Sequence, residues 1–220
     1  ASLLMVPSTY EAGKLYNVLP SGNRAPDNKG GAGYDQTRAD FDFDRGSNAA
    51  ATRINSSGLI EKYRENLALS SGDISTQSTF WNSNQGGTTT QNSAVAPDGT
   101  TTASTITSLG SQYGGVNQTI TTSASRYTYS VYLKSVSGTP LVSLIFVDTN
   151  GLYRKDFTLT TSWQRYDFTT TLAAGSNSIY ITSSQAVSWN AWGAQLELGL
   201  VATDYLNSTS VTGKAGVLVD

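Results

Sequence analysis

The chain has 220 residues, of which 14 are basic and 16 are acidic, and it contains neither histidine nor cysteine. Without these two residue types it can form no disulfide bond, no Ser-His-Asp or Cys-His catalytic group and none of the usual transition-metal sites. The net charge of −2, with no basic stripe, argues against nucleic acid as a partner. Neither a membrane span nor a signal peptide is expected, because no apolar run approaches the roughly 20 residues of a spanning helix and ASLLMVPS lacks a basic region.

Residues 1–65 are predicted to form an extended N-terminal arm. They hold most of the charge and a long surface loop, GNRAPDNKGGAG. Within the arm, AATRINSSGLIEKY predicts a β-hairpin, because two strand-like runs flank NSSG and Gly58 can take the positive φ of a bulged turn. A single hairpin buries too little apolar surface to be stable alone. We therefore expect the arm to become ordered on a partner chain or a symmetry mate.

Three aspartates alternate with phenylalanines in the arm sequence DFDFDRG. Asp40, Asp42 and Asp44 share one face of an extended segment, and their oxygens would suit Ca²⁺. However, a row of like charges on a strand is commonly a solvated edge that discourages pairing, and the segment lacks the glycine and the terminal acid of an EF-hand loop. We therefore predict no metal site here and no cofactor. A structural Ca²⁺ ion elsewhere in the chain stays open, although no residues point to one.

Residues 66–206 are predicted to form an all-β domain. Strand-like runs recur at the spacing of about 8 to 12 residues that is typical of a sandwich or barrel. Turn sequences at 97–99, 137–140 and 149–151 contain the proline, asparagine and glycine that tight reversals need. The predicted strands are 99–108, 115–122, 127–135, 141–148, 152–159, 163–171, 177–183 and 191–198. Residues 207–220 are predicted to form a polar tail that ends in a short apolar run, GVLV.

The residue pattern of two strands predicts how they are buried. In YTYSVYLKS, alternate residues from Tyr127 to Leu133 are apolar and should line one face, whereas LVSLIFVD is apolar on both faces and should be an interior strand. Such a combination predicts two packed antiparallel sheets.

The stretch SWNAWGAQLELG contains two of the four tryptophans. Read with a period of two, it places Trp192 on one face with Ala194, Leu196 and Leu198, and it places Trp189 on the other face. In an unbroken strand at most one of the two rings should therefore lie in the core, and the pattern favours Trp192. For Trp189 both a core position and a loop position stay open. Trp81 is predicted to pack in the core at the start of the domain, and a ligand platform is the alternative.

Four stretches resemble a known family in their order and spacing. VAPDGTTTAST, YTYSVYLKS, TTSWQRYDFTTT and WGAQLELGLVATDYL are similar to the jelly-roll domain of tailed-bacteriophage structural proteins, such as tail fibres and related surface appendages. SLLMVPSTYEAGKLYNVLP and DFDFDRGSNAAATRINSSGLIE resemble the segment that often precedes it. The resemblance implies an antiparallel jelly-roll β-sandwich, core-facing positions for Trp163 and Trp192, and a likeness to carbohydrate-binding modules.

The resemblance also implies a location and partners. We expect a virion protein on the phage surface, in a tail or head appendage, that docks through its arm to other virion proteins and displays the jelly roll outward. A homo-oligomer is expected, with a trimer favoured, because closed symmetry would bury the apolar stretches 3–6 and 15–19. Two alternatives stay open: a receptor-binding carbohydrate-binding module, and a head fibre or capsid decoration protein.

If the domain contacts a host surface glycan, its binding residues should be aromatic rings and amides. The candidates are Trp189, Tyr132, Tyr153, Tyr180 and Gln164. Their hydrogen bonds should depend little on pH and salt.

Catalysis would have to depend on carboxylates, because a glycosidase needs two of them about 5 to 10 Å apart. Asp167 and Glu197 lie on predicted strands and are the available pair. Acids on an outer strand face are far more often solvated or paired with a neighbouring cation. We therefore expect no catalytic residue and no enzyme.

Overall fold

The computed structural model describes residues 64–215 together with the short strands at 14–15, 41–42, 52–54 and 60–62. The chain divides into two compact units, residues 1–62 with 217–220, and residues 63–216. In the first unit, β1 (Lys14–Leu15) pairs with β2 (Phe41–Asp42), and β3 (Thr52–Ile54) pairs antiparallel with β4 (Ile60–Lys62). The second of these pairs confirms the predicted hairpin.

Several predictions about the arm and the tail fall outside the described residues. These are the side chains of the three aspartates of DFDFDRG, the apolar stretches at 3–6 and 16–19, and the run at 216–219. The predicted boundaries at residues 65 and 206 stay predictions.

The second unit is an antiparallel β-sandwich. Its strands are β5 (Arg64–Asn66), β6 (Asn82–Asn84), β7 (Thr88–Ala94), β8 (Ala103–Leu109), β9 (Gly114–Thr122), β10 (Ser125–Ser135), β11 (Leu141–Asp148), β12 (Gly151–Thr158), β13 (Gln164–Leu172), β14 (Gly175–Ser183), β15 (Ala186–Leu198) and β16 (Gly213–Ala215). Within residues 64–215 the first five-stranded sheet has the order β13-β10-β15-β8-β7 and the second has the order β12-β11-β14-β9-β6. From β8 to β15 the chain alternates between the sheets except at the β11–β12 hairpin, and this is the jelly-roll arrangement that was predicted.

No helix in the described ranges is long and apolar enough to cross a membrane.

The eight predicted strands between residues 99 and 198 coincide with β8 to β15, with shifts at their ends. The predicted face of β10 is confirmed, because Tyr127, Tyr129, Val131 and Leu133 are all buried in the core. The position of β11 between β12 and β14 confirms it as an interior strand. The sequence did not reveal β6 and β7, since these strands are almost wholly polar and lie at the sheet edges.

The main core fills the space between the two sheets. Phe146 lies at its centre, with ring centroids 5.9 Å from Tyr129 and 5.4 Å from Phe168. Complete burial raises the pKa of Tyr129 well above its usual value. Trp81 packs in this core and is 2% exposed, and its indole N–H donates to the Ser70 carbonyl at 3.3 Å. The core position predicted for Trp81 is therefore confirmed.

A β-bulge in β15 reverses the predicted positions of its two tryptophans. Opposite β10, the register shifts between Ser130 and Tyr132, so that β15 carries one additional residue there. Gly193 lies at this point with φ +67°, a left-handed conformation that favours glycine. Trp192 is buried, as predicted, but the bulge turns its ring to the outer side, and it is Trp189 that is fully buried in the main core with Leu196.

Trp192 forms part of a second, smaller apolar cluster on the outer side of the first sheet. Its buried members are Ala96, Ala103 and Trp192, and Ala94, Tyr132, Trp163 and Tyr205 pack against them. Trp163 is only partly buried, and its indole N–H donates to the Val95 carbonyl at 2.9 Å. The core position predicted for Trp163 is therefore corrected to this outer cluster.

The segment from residue 199 to β16 crosses the same outer side. Glu197 holds it by accepting hydrogen bonds from the amide and the hydroxyl of Thr203, at 2.8 and 2.6 Å, and Gln195 accepts one from the amide of Leu206 at 2.7 Å. At its end, β16 pairs with β5. The C-terminal segment is thus part of the folded sandwich unit.

Asp148 stabilises the turn between β11 and β12. Its carboxylate accepts backbone hydrogen bonds from Ala173, Asn150 and Gly151 at 2.8, 2.7 and 3.1 Å. The bond from Ala173, assisted by the other two, lowers the pKa of Asp148 against the opposing effect of burial. Because the folded-state pKa lies below the unfolded value of about 3.9, this stabilisation is present at neutral pH and is lost as pH falls through the folded pKa.

We expect Asp148→Asn to lower the free energy of unfolding at pH 7 by about 1 to 2 kcal/mol, because hydrogen bonds to a charged acceptor are lost. The difference from the wild type should shrink as the pH is lowered from about 5 to about 2, where the native carboxylate becomes protonated. Urea unfolding of both proteins across this pH range measures the difference in the free energy of unfolding. A difference that stays constant with pH would contradict the assignment.

Candidate functional site

The outer face of the second sheet carries a row of side chains that runs from one edge to the other. Ile145 on β11 lies opposite Arg154 on β12 and opposite Tyr180 on β14, and Tyr180 in turn lies opposite Asn117 on β9. Asn82 on β6 completes the row opposite Asn117. Residues in register across neighbouring strands project to the same side of a sheet. Because the residues on either side of Ile145 belong to the main core, this row faces outward.

The next row contains an ion pair at the β12 edge. Arg154 donates to a carboxylate oxygen of Asp156, which also accepts a hydrogen bond of 2.6 Å from the hydroxyl of Ser143. Burial opposes ionisation of Asp156, but these hydrogen bonds and the nearby guanidinium together lower its pKa. The hydrogen bond to Asp156 also raises the pKa of Arg154. Both groups are therefore charged at neutral pH and fixed in relation to each other.

Tyr113 projects over this face from the turn before β9. Its ring centroid lies 5.7 Å from the guanidinium carbon of Arg154, although β14 and β11 separate the strands that carry them. The two side chains therefore meet above the sheet. Ile145, in register with Arg154, is 1% exposed although it lies on an outer face. The contact between the guanidinium and the ring is a cation–π interaction.

The backbone of Tyr113 is strained. Its φ of +64° is an unfavourable value for a bulky residue. Two hydrogen bonds hold it in place, one from the Asn84 side-chain amide to the Tyr113 carbonyl at 2.5 Å and one from the Gly114 amide to the Ser111 carbonyl at 3.1 Å. Such strain persists where surrounding structure enforces it and is concentrated at functional sites.

Together these residues make a surface on which an aromatic ring lies beside fixed polar groups. The half-buried ring of Tyr180 offers apolar area, and Arg154, Asp156 and Asn117 offer donors and acceptors. A ligand that suits them has apolar C–H faces and many hydroxyl groups. In the described part of the chain no group of three or more acidic side chains is placed to hold a metal ion.

The structure places only one of the predicted binding residues, Tyr180, on this face. Tyr153 precedes Arg154 and lies opposite Phe146, so it packs against the main core. Trp189 has no exposed surface and cannot offer its ring to a ligand, which corrects the sequence interpretation.

The other two candidates belong to the first sheet. Tyr132 packs its ring 5.7 Å from that of Trp192 and 5.4 Å from the Arg165 guanidinium. Gln164, at the exposed start of β13, accepts a hydrogen bond of 3.0 Å from the hydroxyl of Tyr166. The five candidates are thus dispersed over both sheets.

Sequence reasoning did not find Tyr113, Asn117, Arg154 or Asp156. One signal was available in LYRKDF, where Arg154 and Asp156 are two residues apart on a strand and therefore share a face. A second was the position of Tyr113 directly before two glycines, a sequence typical of a turn. Nothing in the sequence indicated that these residues meet.

The two carboxylates considered for catalysis have different surroundings. Glu197 is buried, and both of its oxygens accept hydrogen bonds that hold the C-terminal segment. Asp167 is exposed on the edge strand β13, opposite Ser130. These hydrogen bonds give Glu197 a structural role, which is to hold the C-terminal segment.

No family model and no curated protein matches the chain. Solved structures with a similar fold include carbohydrate-binding modules. One is the CBM22-1 xylan-binding domain of Paenibacillus barcinonensis Xyn10C, with 18% identity, a TM-score of 0.45 and coverage of 63% of this chain and 94% of that chain. Another is TmCBM61 in complex with β-1,4-galactotriose, with 14% identity, a TM-score of 0.46 and coverage of 61% and 99%.

A bacteriophage protein is also among the similar structures. The enzymatically active domain of bacteriophage CBA120 tailspike protein 4 shares 16% identity at a TM-score of 0.43. The match covers 60% of this chain but 21% of that one. At such low identities and TM-scores, the ligands and activities named for these proteins say nothing about those of this chain.

Proposed function

We propose that this protein is a non-enzymatic component of a phage particle surface whose jelly roll binds glycan on the outer face of its second sheet. The observation that carries the glycan proposal is the grouping of Tyr180 with Tyr113 and the Arg154–Asp156 pair on one exposed face. The phage proposal is supported by the sequence stretches that resemble tailed-phage appendage proteins.

In this proposal the sugar ring lies against Tyr180 and its hydroxyls bond to the polar groups around it. Arg154 and Asp156 together offer fixed donors and a fixed acceptor, so they favour two neighbouring hydroxyls of one sugar. Because the chain has no histidine and the pKa values of Arg154 and Asp156 are shifted away from neutrality, binding is insensitive to pH between about 5 and 8.

Tyr180→Ala is expected to lower the affinity for the glycan by at least about tenfold, because the ring supplies the apolar contact. Tyr180→Phe keeps the ring, so its affinity should fall less. The wild-type chain is first applied to an array of host surface glycans, and the best ligand is then titrated calorimetrically. Arg154→Ala should also weaken binding. Its matched control is Lys155→Ala, since Lys155 is the adjacent exposed cation and lies opposite core-facing Leu144. Equal affinities for Tyr180→Ala and the wild type would refute this site.

The role of the arm is to dock the protein to another virion protein, and a trimer is the favoured assembly. Immunogold labelling of particles distinguishes a tail appendage from a head fibre or decoration protein. Light scattering of the full chain at micromolar concentration tests the oligomer, and a monomeric mass would leave docking to a virion partner as the sole assembly role.

The proposal excludes bond cleavage. Incubation of the protein with host capsule or lipopolysaccharide for a day should release no reducing ends. Time-dependent release that disappears in Asp167→Asn or Glu197→Gln would make the protein a depolymerase instead.

A further inference from the structure

We propose a second ligand site, on the opposite side of the sandwich, that takes a saccharide without acidic groups and prefers an amino sugar. The site is a groove of 640 Å³ on the outer side of the first sheet, beside the C-terminal segment. Its volume lies within the range of about 300 to 1,000 Å³ that small-molecule pockets occupy. The residues on which the proposal depends are Gly72, Asp73, Asp98, Trp192, Tyr205 and Asn207.

Two aromatic rings form the apolar part of the groove. The bulge at Gly193 turns Trp192 outward, and Tyr205 from the C-terminal segment packs against it with ring centroids 4.5 Å apart and planes tilted by 52°. The indole N–H of Trp192 donates to the hydroxyl of Thr102 at 3.1 Å, which fixes the ring. Trp192 keeps 7% of its surface exposed, and this strip lines the groove.

Polar atoms converge on the one groove position that has no side chain. A Cβ placed on Gly72 would lie 3.6 Å from Nε1 of Trp192 and 3.7 Å from both Oη of Tyr205 and Oδ1 of Asn207. The Tyr205 hydroxyl is itself positioned by Ser71 at 2.7 Å and Asn207 at 3.1 Å. Burial raises the pKa of Tyr205 to about 12, so the hydroxyl stays protonated at physiological pH. A polyhydroxylated ligand finds both an apolar surface and fixed polar partners here.

The charges along the groove select among saccharides. Asp73 and Asp98 line it, and among the residues that the structure describes no lysine or arginine does. In Asp98, Oδ1 accepts bonds from the amide and the hydroxyl of Thr100, whereas Oδ2 accepts none within the described part of the chain. A uronate or sialic acid would bring like charge to these carboxylates, and an ammonium group would bring opposite charge. The groove therefore favours an amino sugar over a neutral one and disfavours acidic sugars.

Gly72 offers a clean way to block the groove. Its backbone lies outside the left-handed region, and an added Cβ would make only ordinary van der Waals contacts, so Gly72→Ala should fold and bind normally. A leucine at this position would fill the space between the three polar atoms. We expect Gly72→Leu to weaken binding by at least about tenfold without a comparable loss of stability.

To test this, the full chain is titrated with three probes and followed by NMR: a glucosamine trisaccharide, cellotriose and trigalacturonic acid. The glucosamine trisaccharide should bind most tightly and trigalacturonic acid at least about tenfold more weakly. Asp98→Asn should reduce the preference for the amino sugar over cellotriose. Tyr180→Ala should leave binding in this groove unchanged, which separates this site from the opposite face.

Three results would overturn the proposal: no probe shifts the groove resonances, trigalacturonic acid binds as tightly as the amino sugar, or Gly72→Leu binds like the wild type. If Gly72→Leu does not fold, Asp98→Asn decides the question, because unaltered selectivity in that variant also refutes the assigned groove.

Discussion

Replacement of Trp189 by alanine is expected to remove about 3 to 5 kcal/mol from the free energy of unfolding, the largest loss among Trp163, Trp189 and Trp192. The ring is fully buried in the main core, on a strand held on both sides by β10 and β8. The total free energy of unfolding of an ordinary domain is about 5 to 15 kcal/mol, so the variant should be marginally stable or unfolded at 37 °C.

The matched comparison is Trp163→Ala, which removes a ring of the same size from a partly exposed position. The free energy of unfolding of this variant should fall by about 1 to 2 kcal/mol. Urea unfolding followed by circular dichroism measures both. If Trp163→Ala were the more damaging substitution, the assignment of these rings to the main core and to the outer cluster would be reversed.

The second large effect is expected at Asn66. Its side-chain amide donates to the carbonyls of Ala194 and Leu206 at 3.0 and 2.8 Å, and its oxygen accepts from the amides of Ala68 and Leu196 at 3.0 and 2.9 Å. This one buried side chain therefore joins β5, β15 and the C-terminal segment. Each buried backbone group that loses its partner costs about 1 to 3 kcal/mol.

Asn66→Ala should accordingly lower the free energy of unfolding by about 3 kcal/mol or more. In this variant the segment after residue 199 should become sensitive to protease before the sandwich unfolds. Asn66→Asp retains the accepting oxygen, but it turns a second oxygen toward the carbonyls of Ala194 and Leu206 in a buried site, so its loss of stability should be at least as large. Limited proteolysis with mass spectrometry, beside urea unfolding, is applied to both variants. A protease-resistant Asn66→Ala of wild-type stability would show that this network is unimportant.

The strands were predictable because burial imposes a period of two on the sequence. In β10 every second residue enters the core, and in β11 both faces are covered, so the patterns of YTYSVYLKS and LVSLIFVD reflect the structure directly. The edge strands β6 and β7 lack this signal, since they are polar on both faces.

The bulge shows where strand periodicity fails. One additional residue at Gly193 shifts every later side chain of β15 to the other face, and so it exchanged the positions that the pattern predicted for the two tryptophans. An isolated glycine within a strand pattern is itself a signal of a bulge. The sequence AWGAQ contained it.

The candidate site was less predictable than the fold. Tyr113, Arg154 and Tyr180 are far apart in the sequence and meet only through the order and register of the strands in the second sheet. An alternating pattern shows that Tyr180 lies on a strand face, but it does not show which strands are neighbours. The contact between Tyr113 and Arg154 also depends on a turn conformation that the sequence leaves open.

The most direct test of glycan binding on the second sheet is an NMR titration of the isotope-labelled full chain with the best glycan from the array. The largest shifts are expected on the rings of Tyr180 and Tyr113, the Arg154 side chain and the Asn117 amide. The indole signal of buried Trp189 should not move. Saturable shifts that are confined to other surfaces, or no shifts with any array glycan, would contradict the proposed site.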